Sequence, residues 1–139
     1  MMQTIQQQRA KHALNKVKSA ADNPQIDNEK FKSYASNLPA MIHMNGLGQA
    51  AAFFKSKGNS SPEHAELYNI LSNWLCRHDN DPQIQQDMPI QPYNGCANLL
   101  IGITTQDMHQ YRLAQAEAQA LMDWVKKFAK AFMITEGDE

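Results

Sequence analysis

The histidines and cysteines are the residues of this sequence that most readily bind metal ions or act as nucleophiles. No two histidines lie three or four residues apart, so no helix face carries the paired ligands of a helical zinc site. Cys76 and His78 are close together, but no second pair accompanies them. We therefore predict no metal site. Cys76 and Cys96 are interpreted as small packed thiols. The histidines are interpreted as polar groups at the surface or the core boundary: His12, His43, His64, His78 and His109.

One glycine-containing segment matches the motif of a dinucleotide-binding loop. Gly46-Leu47-Gly48-Gln49-Ala50-Ala51 fits G-x-G-x-x-A, and Glu66 follows Gly46 by 20 residues. This fingerprint works only where a strand of a parallel sheet feeds a helix. Here the preceding segment begins with Leu38-Pro39, and no sheet is in view. We predict instead a structural corner between helices, formed by Pro39, Asn45 and Gly46.

The remaining motifs do not indicate an enzyme. Asp79-Asn80-Asp81 opens like a calcium loop, but Ile84 replaces the glycine at position six and Ile90 the glutamate at position twelve. A solvated turn is the better interpretation. The sequence contains no G-x-S-x-G, P-loop or C-x-x-C motif. We therefore predict no catalytic residue and no cofactor.

The basic residues give a stronger signal. The net charge is −1, so nucleic acid would be held by a local patch and not by the field of the whole protein. Arg112 and Lys130 lie 18 residues apart, which is about five turns of helix. Basic side chains beside an apolar stripe can pack their stems and present their charges to phosphates. The candidate RNA-binding residues are Arg9, Lys16, Lys18, Lys55, Lys57, Arg112, Lys126 and Lys130.

A second interpretation stays open for these residues. Asp123 can pair with Lys126 or Lys127 at helical spacing. Lys55 and Lys57 can simply complement the dipole at the end of a helix. On composition alone, solvated helix faces are favoured over RNA binding.

The elements that position these residues are predicted to be helices. The 139 residues contain 17 Ala and 14 Gln against 2 Val and 4 Thr, and 42% are apolar. We predict an all-α fold over residues 1–139, a single compact bundle of roughly five to seven helices with a long C-terminal helix. Residues 79–94 are predicted to form a long loop and 135–139 a flexible tail.

Spacing and capping residues place the individual helices. We predict helices over 2–21, from an Asn28 cap through about 35, over 40–44 after Leu38-Pro39, over 47–57, and from Pro62. The apolar run 96–103 fits a buried helix or strand, and we predict helix because no partner strand is visible. Thr104 or Thr105 is predicted to cap the last helix, whose stripe is Tyr111, Ala114, Ala118, Leu121, Val125, Phe128 and Phe132.

Nothing in the sequence indicates a membrane or secreted protein. No apolar run approaches the roughly 20 residues that span a bilayer. The polar, Gln-rich first ten residues do not fit a secretory signal. We expect a cytoplasmic location.

Three segments together carry a resemblance to a known family. They are Gln8-Arg9-Ala10 with Ala13; Leu38-Pro39-x-Met41-Ile42-x-x-Asn45-Gly46-Leu47-x-Gln49-x-x-Ala52-Phe53-x-x-Ser56-Lys57; and Tyr111-Arg112-x-Ala114-x-x-Glu117-Ala118 followed by Trp124 and Lys127. The pattern covers most of the chain and is least matched at 79–94. It resembles the small helical subunit of the type III-B CRISPR Cmr complex, a ribonucleoprotein of antiviral defence.

The resemblance implies an α-helical bundle without an active site. Several copies would stack as a minor filament beside the backbone subunits and cradle guide RNA paired with target RNA, while a backbone subunit cuts the target. The implied partners are the backbone and large subunits, further copies of the chain, guide RNA and target RNA. No membrane is implied as a partner. Arg9 and Arg112, which match the pattern, become the best RNA-facing candidates. The alternative is a protein-only helical spacer with little RNA contact, which the nearly neutral net charge favours.

Overall fold

The computed structural model describes residues 3–76 and 91–134. These ranges contain six α-helices and no strand: α1 (Ile5–Ala21), α2 (Asn28–Asn45), α3 (Leu47–Lys57), α4 (Pro62–Cys76), α5 (Leu99–Thr105) and α6 (Met108–Phe132). The all-α prediction is confirmed, as is the long C-terminal helix of 25 residues. The predictions for residues 77–90, which include His78, the calcium-like segment and most of the long loop, and for the tail 135–139 lie outside the described residues.

The helix α6 organises the bundle, with α1 and α2 packed along it. Its predicted stripe is buried at Ala114, Ala118, Leu121 and Val125. Phe132, the last member, is 46% exposed. The helices together enclose one apolar core, and none of those described combines the length and apolar character needed to cross a bilayer.

The predicted cap of α6 is wrong. The hydroxyl groups of Thr104 and Thr105 donate back to carbonyl groups within α5, so both residues belong to the end of that helix. Asp107 caps α6 instead, and its carboxylate accepts a hydrogen bond from the backbone N–H of Gln110 at 2.9 Å. The helix predicted over 96–103 is confirmed from Leu99 onward, whereas 96–98 precede α5, which continues to Thr105.

The prediction that Leu38-Pro39 begins a new helix is also wrong. Pro39 lies inside α2, which continues for six more residues to Asn45. Proline in a helix interior costs about 3 kcal/mol because a hydrogen bond is lost and the ring clashes with the preceding turn. Phe31, Leu38 and Ile42 are fully buried on one continuous stripe, and each contributes roughly 2 kcal/mol by burial. Their packing outweighs the local penalty.

Side chains cap the N-termini of α1 and α2. Thr4 and Gln7 form a reciprocal capping box that begins α1 at Ile5, three residues later than predicted. Asp27, and not the predicted Asn28, caps α2 by accepting hydrogen bonds from the N–H groups of Glu29 and Lys30. The carboxylate also suits the positive end of the helix dipole.

Candidate nucleic-acid interface

Arg9 does not reach the surface with an available charge. Its Nε and a terminal guanidinium nitrogen donate to the two carboxylate oxygens of Glu117 at 2.6 and 2.7 Å. Trp74 Nε1 donates to the same carboxylate at 2.7 Å. The side chains of Arg9 and Glu117 are 14% and 3% exposed. This bidentate pair joins α1, α4 and α6, so the geometry gives Arg9 a structural role and lends no support to its predicted contact with RNA.

The other two candidates on α1 differ in their surroundings. Lys16 is half-buried and lies near Glu66, whose pKa is raised by burial and lowered again in part by the Lys16 charge. Lys18 is exposed, and its Nζ lies 5.4 Å from the ring centroid of Phe132 at the end of α6. Lys18 therefore keeps solvent access while it covers an apolar ring.

Both lysines at the end of α3 also lie over aromatic rings. Lys55 Nζ is 5.4 Å from the centroid of Tyr68, and Lys57 Nζ is 5.7 Å from that of Phe53. Both lysines are exposed, and both occupy the last turn of the helix, where a positive charge meets the negative end of the dipole. Complementation of the helix dipole and packing against aromatic rings thus account for much of their placement without any contact with RNA.

The C-terminal helix carries the most open set of basic residues. We call Arg112, Lys126, Lys127 and Lys130 the α6 basic face. Arg112 and Lys130 lie on one line of the helix about 27 Å apart, with Lys126 and Lys127 about 40° and 60° to either side. Lys126 is half-buried and the other three are exposed. Four charges are therefore presented on the side of α6 away from the core.

The Gly46 corner is closed by side chains of α6. Gly46 joins α2 to α3 with φ of 86°, a left-handed conformation that suits glycine, and its N–H donates to the carbonyl of Ile42. The next two N–H groups donate across the bundle, from Leu47 to Gln115 Oε1 and from Gly48 to Tyr111 Oη, both at 3.0 Å. A nucleotide phosphate would need these same donors. Because α2 precedes the glycines and α6 occupies the donors, the arrangement does not fit a dinucleotide site.

The four described histidines are either packed within the bundle, as His12 and His64 are, or exposed, as His43 and His109 are. His12 is buried, with Nε2 at 3.1 Å from the carbonyl of Ile70 and its ring against Trp74. His64 Nδ1 lies 2.8 Å from Ser61 Oγ, and burial followed by the charge of Lys57 lowers its pKa. Within residues 3–76 and 91–134, no three His, Cys, Asp or Glu side chains gather in a way that could hold a metal ion.

Two features of this region escaped the sequence analysis. The first is the role of Glu117 as partner of Arg9 and Trp74. Glu117 lies three residues after Ala114 on the apolar stripe of α6, and an acid on a core face requires a buried partner, so a signal was present. The second is the capping of α3 by Tyr111 and Gln115. These contacts join residues more than 60 positions apart and leave no mark in local spacing.

The comparison with known families decides what this bundle is related to. The profile of the family described as CRISPR-associated protein (Cas_Cmr5) matches residues 5–132. The chain belongs to this family. A curated relative, the CRISPR system Cmr subunit Cmr5 of Thermus thermophilus, is 27% identical over 132 residues, which cover 95% of this chain and 98% of the relative. The resemblance found in the sequence is confirmed.

Besides Arg112 and Lys127 of the α6 basic face, the residues that carried the resemblance include two further groups. One group holds the bundle together through the Arg9 and Glu117 pair and the contact of Tyr111 with the Gly46 corner. The other group is exposed on one side of α3 and the adjoining end of α2, where the interior of the bundle does not explain it: Asn45, Gln49, Ala52, Phe53, Ser56 and Lys57.

Proposed function

We propose that this chain is a non-catalytic structural subunit of a type III-B CRISPR ribonucleoprotein effector complex in antiviral defence. In this proposal it stacks in the minor filament beside the backbone and large subunits, and it helps to hold guide RNA and target RNA through contacts with their backbones. The observation that carries the proposal is the family match over residues 5–132, on a chain whose described part is a helical bundle.

Within this function, the α6 basic face is the surface we assign to RNA. Its four cations share α6 with two acids, Glu117 and Asp123. Glu117 is buried against Arg9, so only Asp123 offsets the outer charge. Contacts with phosphates carry no sequence information, which suits a complex whose specificity comes from base pairing with a guide. Lys16, Lys18, Lys55 and Lys57 remain secondary candidates.

Charge reversal on the α6 basic face tests this assignment. Arg112→Glu and Lys130→Glu, alone and combined, are assembled into the complex, and the dissociation constant for target RNA is measured over a range of salt concentrations. Each lost phosphate contact should weaken binding and reduce the slope of log K against log salt by about 1. Lys30→Glu, the same charge change at an exposed lysine of α2, serves as control.

The competing function is a protein-only spacer that barely touches RNA. The net charge of −1 and the engagement of Lys18, Lys55 and Lys57 with aromatic rings favour it. The spacer function is supported if the combined variant leaves both the affinity and the salt slope unchanged, and if RNA crosslinks are absent from α6 and also from the secondary candidates on α1 and α3.

A further inference from the structure

An open groove lined by apolar and amide side chains lies between the end of α2 and the exposed side of α3. Its volume is about 660 Å³, and it is lined by Met41, Met44, Asn45, Gln49 and Phe53, which we call the methionine groove. Met44 is 79% exposed and Phe53 is 43% exposed. Large apolar side chains gathered at one surface site are typical of a protein interaction surface. Methionine side chains in particular adapt their shape to a partner.

The chain segment that forms the methionine groove carries charge of a single sign. Between residues 33 and 62 the only formally charged side chains are Lys55 and Lys57. Lys57 Nζ lies 5.7 Å from the ring centroid of Phe53, so the ammonium group lies beside one of the lining side chains. The amide groups of Asn45 and Gln49 add hydrogen-bond donors and acceptors at the same place. A complementary partner therefore combines apolar side chains with a carboxylate.

We infer that the methionine groove is the docking site for an acidic amphipathic helix of another protein subunit. Apolar side chains at three- and four-residue spacing fill the groove between Met44 and Phe53, and a carboxylate on the flank of that helix pairs with Lys57. The inference rests on the proposed function only because the partner is sought among subunits of the same complex. It does not depend on RNA contact by the α6 basic face.

The lining favours a protein helix over the two other occupants considered. Phosphate contacts dominate RNA binding, and the larger part of the lining, Met41, Met44 and Phe53, offers phosphates no donor. Only the amide groups of Asn45 and Gln49 and the ammonium of Lys57 beside Phe53 could contact a phosphate, and RNA is one outcome of the crosslinking test below. A second copy would have to present its own exposed apolar residues. Among those outside the groove, Phe132 lies under Lys18 and Leu113 follows Arg112 in the chain, so docking either would bring like charges together. The others in the described part of the chain are Ile101, Met108 and Ile134, and a crosslink to a second copy is an outcome of the test below.

Photocrosslinking identifies the occupant directly. Met44 is replaced by the photoreactive residue p-benzoylphenylalanine, the full complex is reconstituted and irradiated, and the crosslinked peptides are identified by mass spectrometry. The expected product joins position 44 to a segment of another subunit that has apolar residues three or four apart and a neighbouring Asp or Glu. Crosslinks to RNA or to a second copy of this chain would overturn the inference. So would the same products when the photoreactive residue replaces Met108, an exposed side chain outside the groove.

Matched substitutions test whether the groove holds the subunit in place. Met44→Glu and Phe53→Glu should each reduce incorporation into the complex at least tenfold, and Lys57→Glu should weaken it and reduce its salt dependence. The controls Met108→Glu and Leu113→Glu change side chains that are 66% and 42% exposed elsewhere, and they should incorporate normally. Circular dichroism of each isolated variant verifies that the helices remain formed.

The two proposals fail in different ways. Lys130→Glu should incorporate normally and lose RNA affinity, whereas Met44→Glu should lose incorporation itself. Normal incorporation of both Met44→Glu and Phe53→Glu would overturn the docking inference. It would leave the proposed function standing, because that function is tested by the RNA affinity of the assembled complex.

Discussion

The carboxylate of Glu117 should be one of the most costly single groups to remove from this protein. It is 3% exposed and accepts hydrogen bonds from Arg9 and Trp74 at 2.6 to 2.7 Å. Glu117→Ala would leave a largely buried guanidinium and a buried indole N–H without their partner. Breaking a buried ion pair from one side costs about 3–5 kcal/mol. For a chain of this length, that corresponds to a melting temperature lower by about 10–15 °C.

Urea unfolding followed by circular dichroism measures this loss. Arg9→Ala should cost a comparable amount, because it strands the carboxylate. The double variant should lose at least about 2 kcal/mol less than the sum of the single variants, since neither charge is then left alone. Arg112→Ala removes an exposed arginine on the same helix and should change the stability by no more than about 0.5 kcal/mol. A loss under about 1 kcal/mol for Glu117→Ala, or simple additivity, would refute this reasoning.

Because Arg9 is paired inside the bundle and Arg112 is exposed, charge reversal at the two arginines tests different properties. Charge reversal at Arg9 would place two carboxylates together inside the bundle and destabilise it. Weaker RNA binding by that variant would therefore report on folding. Charge reversal at Arg112 acts on an exposed side chain, so it reports on RNA contact.

Four further predictions follow from a close contact, a hydrogen bond and the pKa of one thiol. Gly102→Ala would place a Cβ atom 2.5 Å from Cγ of Tyr93 and should cost about 1–3 kcal/mol in urea unfolding, whereas Gly48→Ala meets only ordinary contacts from 3.5 Å and should be neutral or slightly stabilising. Tyr111→Phe removes the acceptor for the Gly48 N–H and should cost about 1 kcal/mol in the same assay. Burial raises the pKa of Cys76 to about 11, so its thiol should react slowly with iodoacetamide at neutral pH until urea unfolds the chain. The pKa of the Cys76 thiol is higher in the folded protein than in the unfolded chain, so its contribution to the free energy of unfolding is complete below about pH 9. This contribution is lost as the pH rises towards 11. The urea midpoint should therefore fall across that pH range.

The long helix α6 could be predicted because its signal is strong and repeated. Ala114, Ala118, Leu121 and Val125 recur at helical spacing over several turns, and burial of that stripe is what stabilises the helix. Pro39 shows the opposite case. The local rule for proline predicts a boundary, but the buried stripe on both sides of it continues, and packing overrides a penalty of about 3 kcal/mol.

The basic residues show why a candidate interface is harder to predict than a fold. Arg9 and Arg112 look alike in sequence, since each flanks an apolar stripe. Only the three-dimensional position of Glu117 separates an arginine held inside the bundle from one open to solvent. The methionine groove was likewise not predicted, because Met44 and Phe53 read as ordinary apolar helix positions until their exposure is known.

The central claim is that this chain acts as a scaffold within a larger RNA-containing assembly. The most direct test is to express it with the genes encoded beside it, purify through a tag on this chain alone, and weigh the product by native mass spectrometry. We predict a complex of several different protein subunits together with RNA. Recovery of the tagged chain by itself, or turnover of an RNA or nucleotide substrate by the isolated chain, would contradict the account.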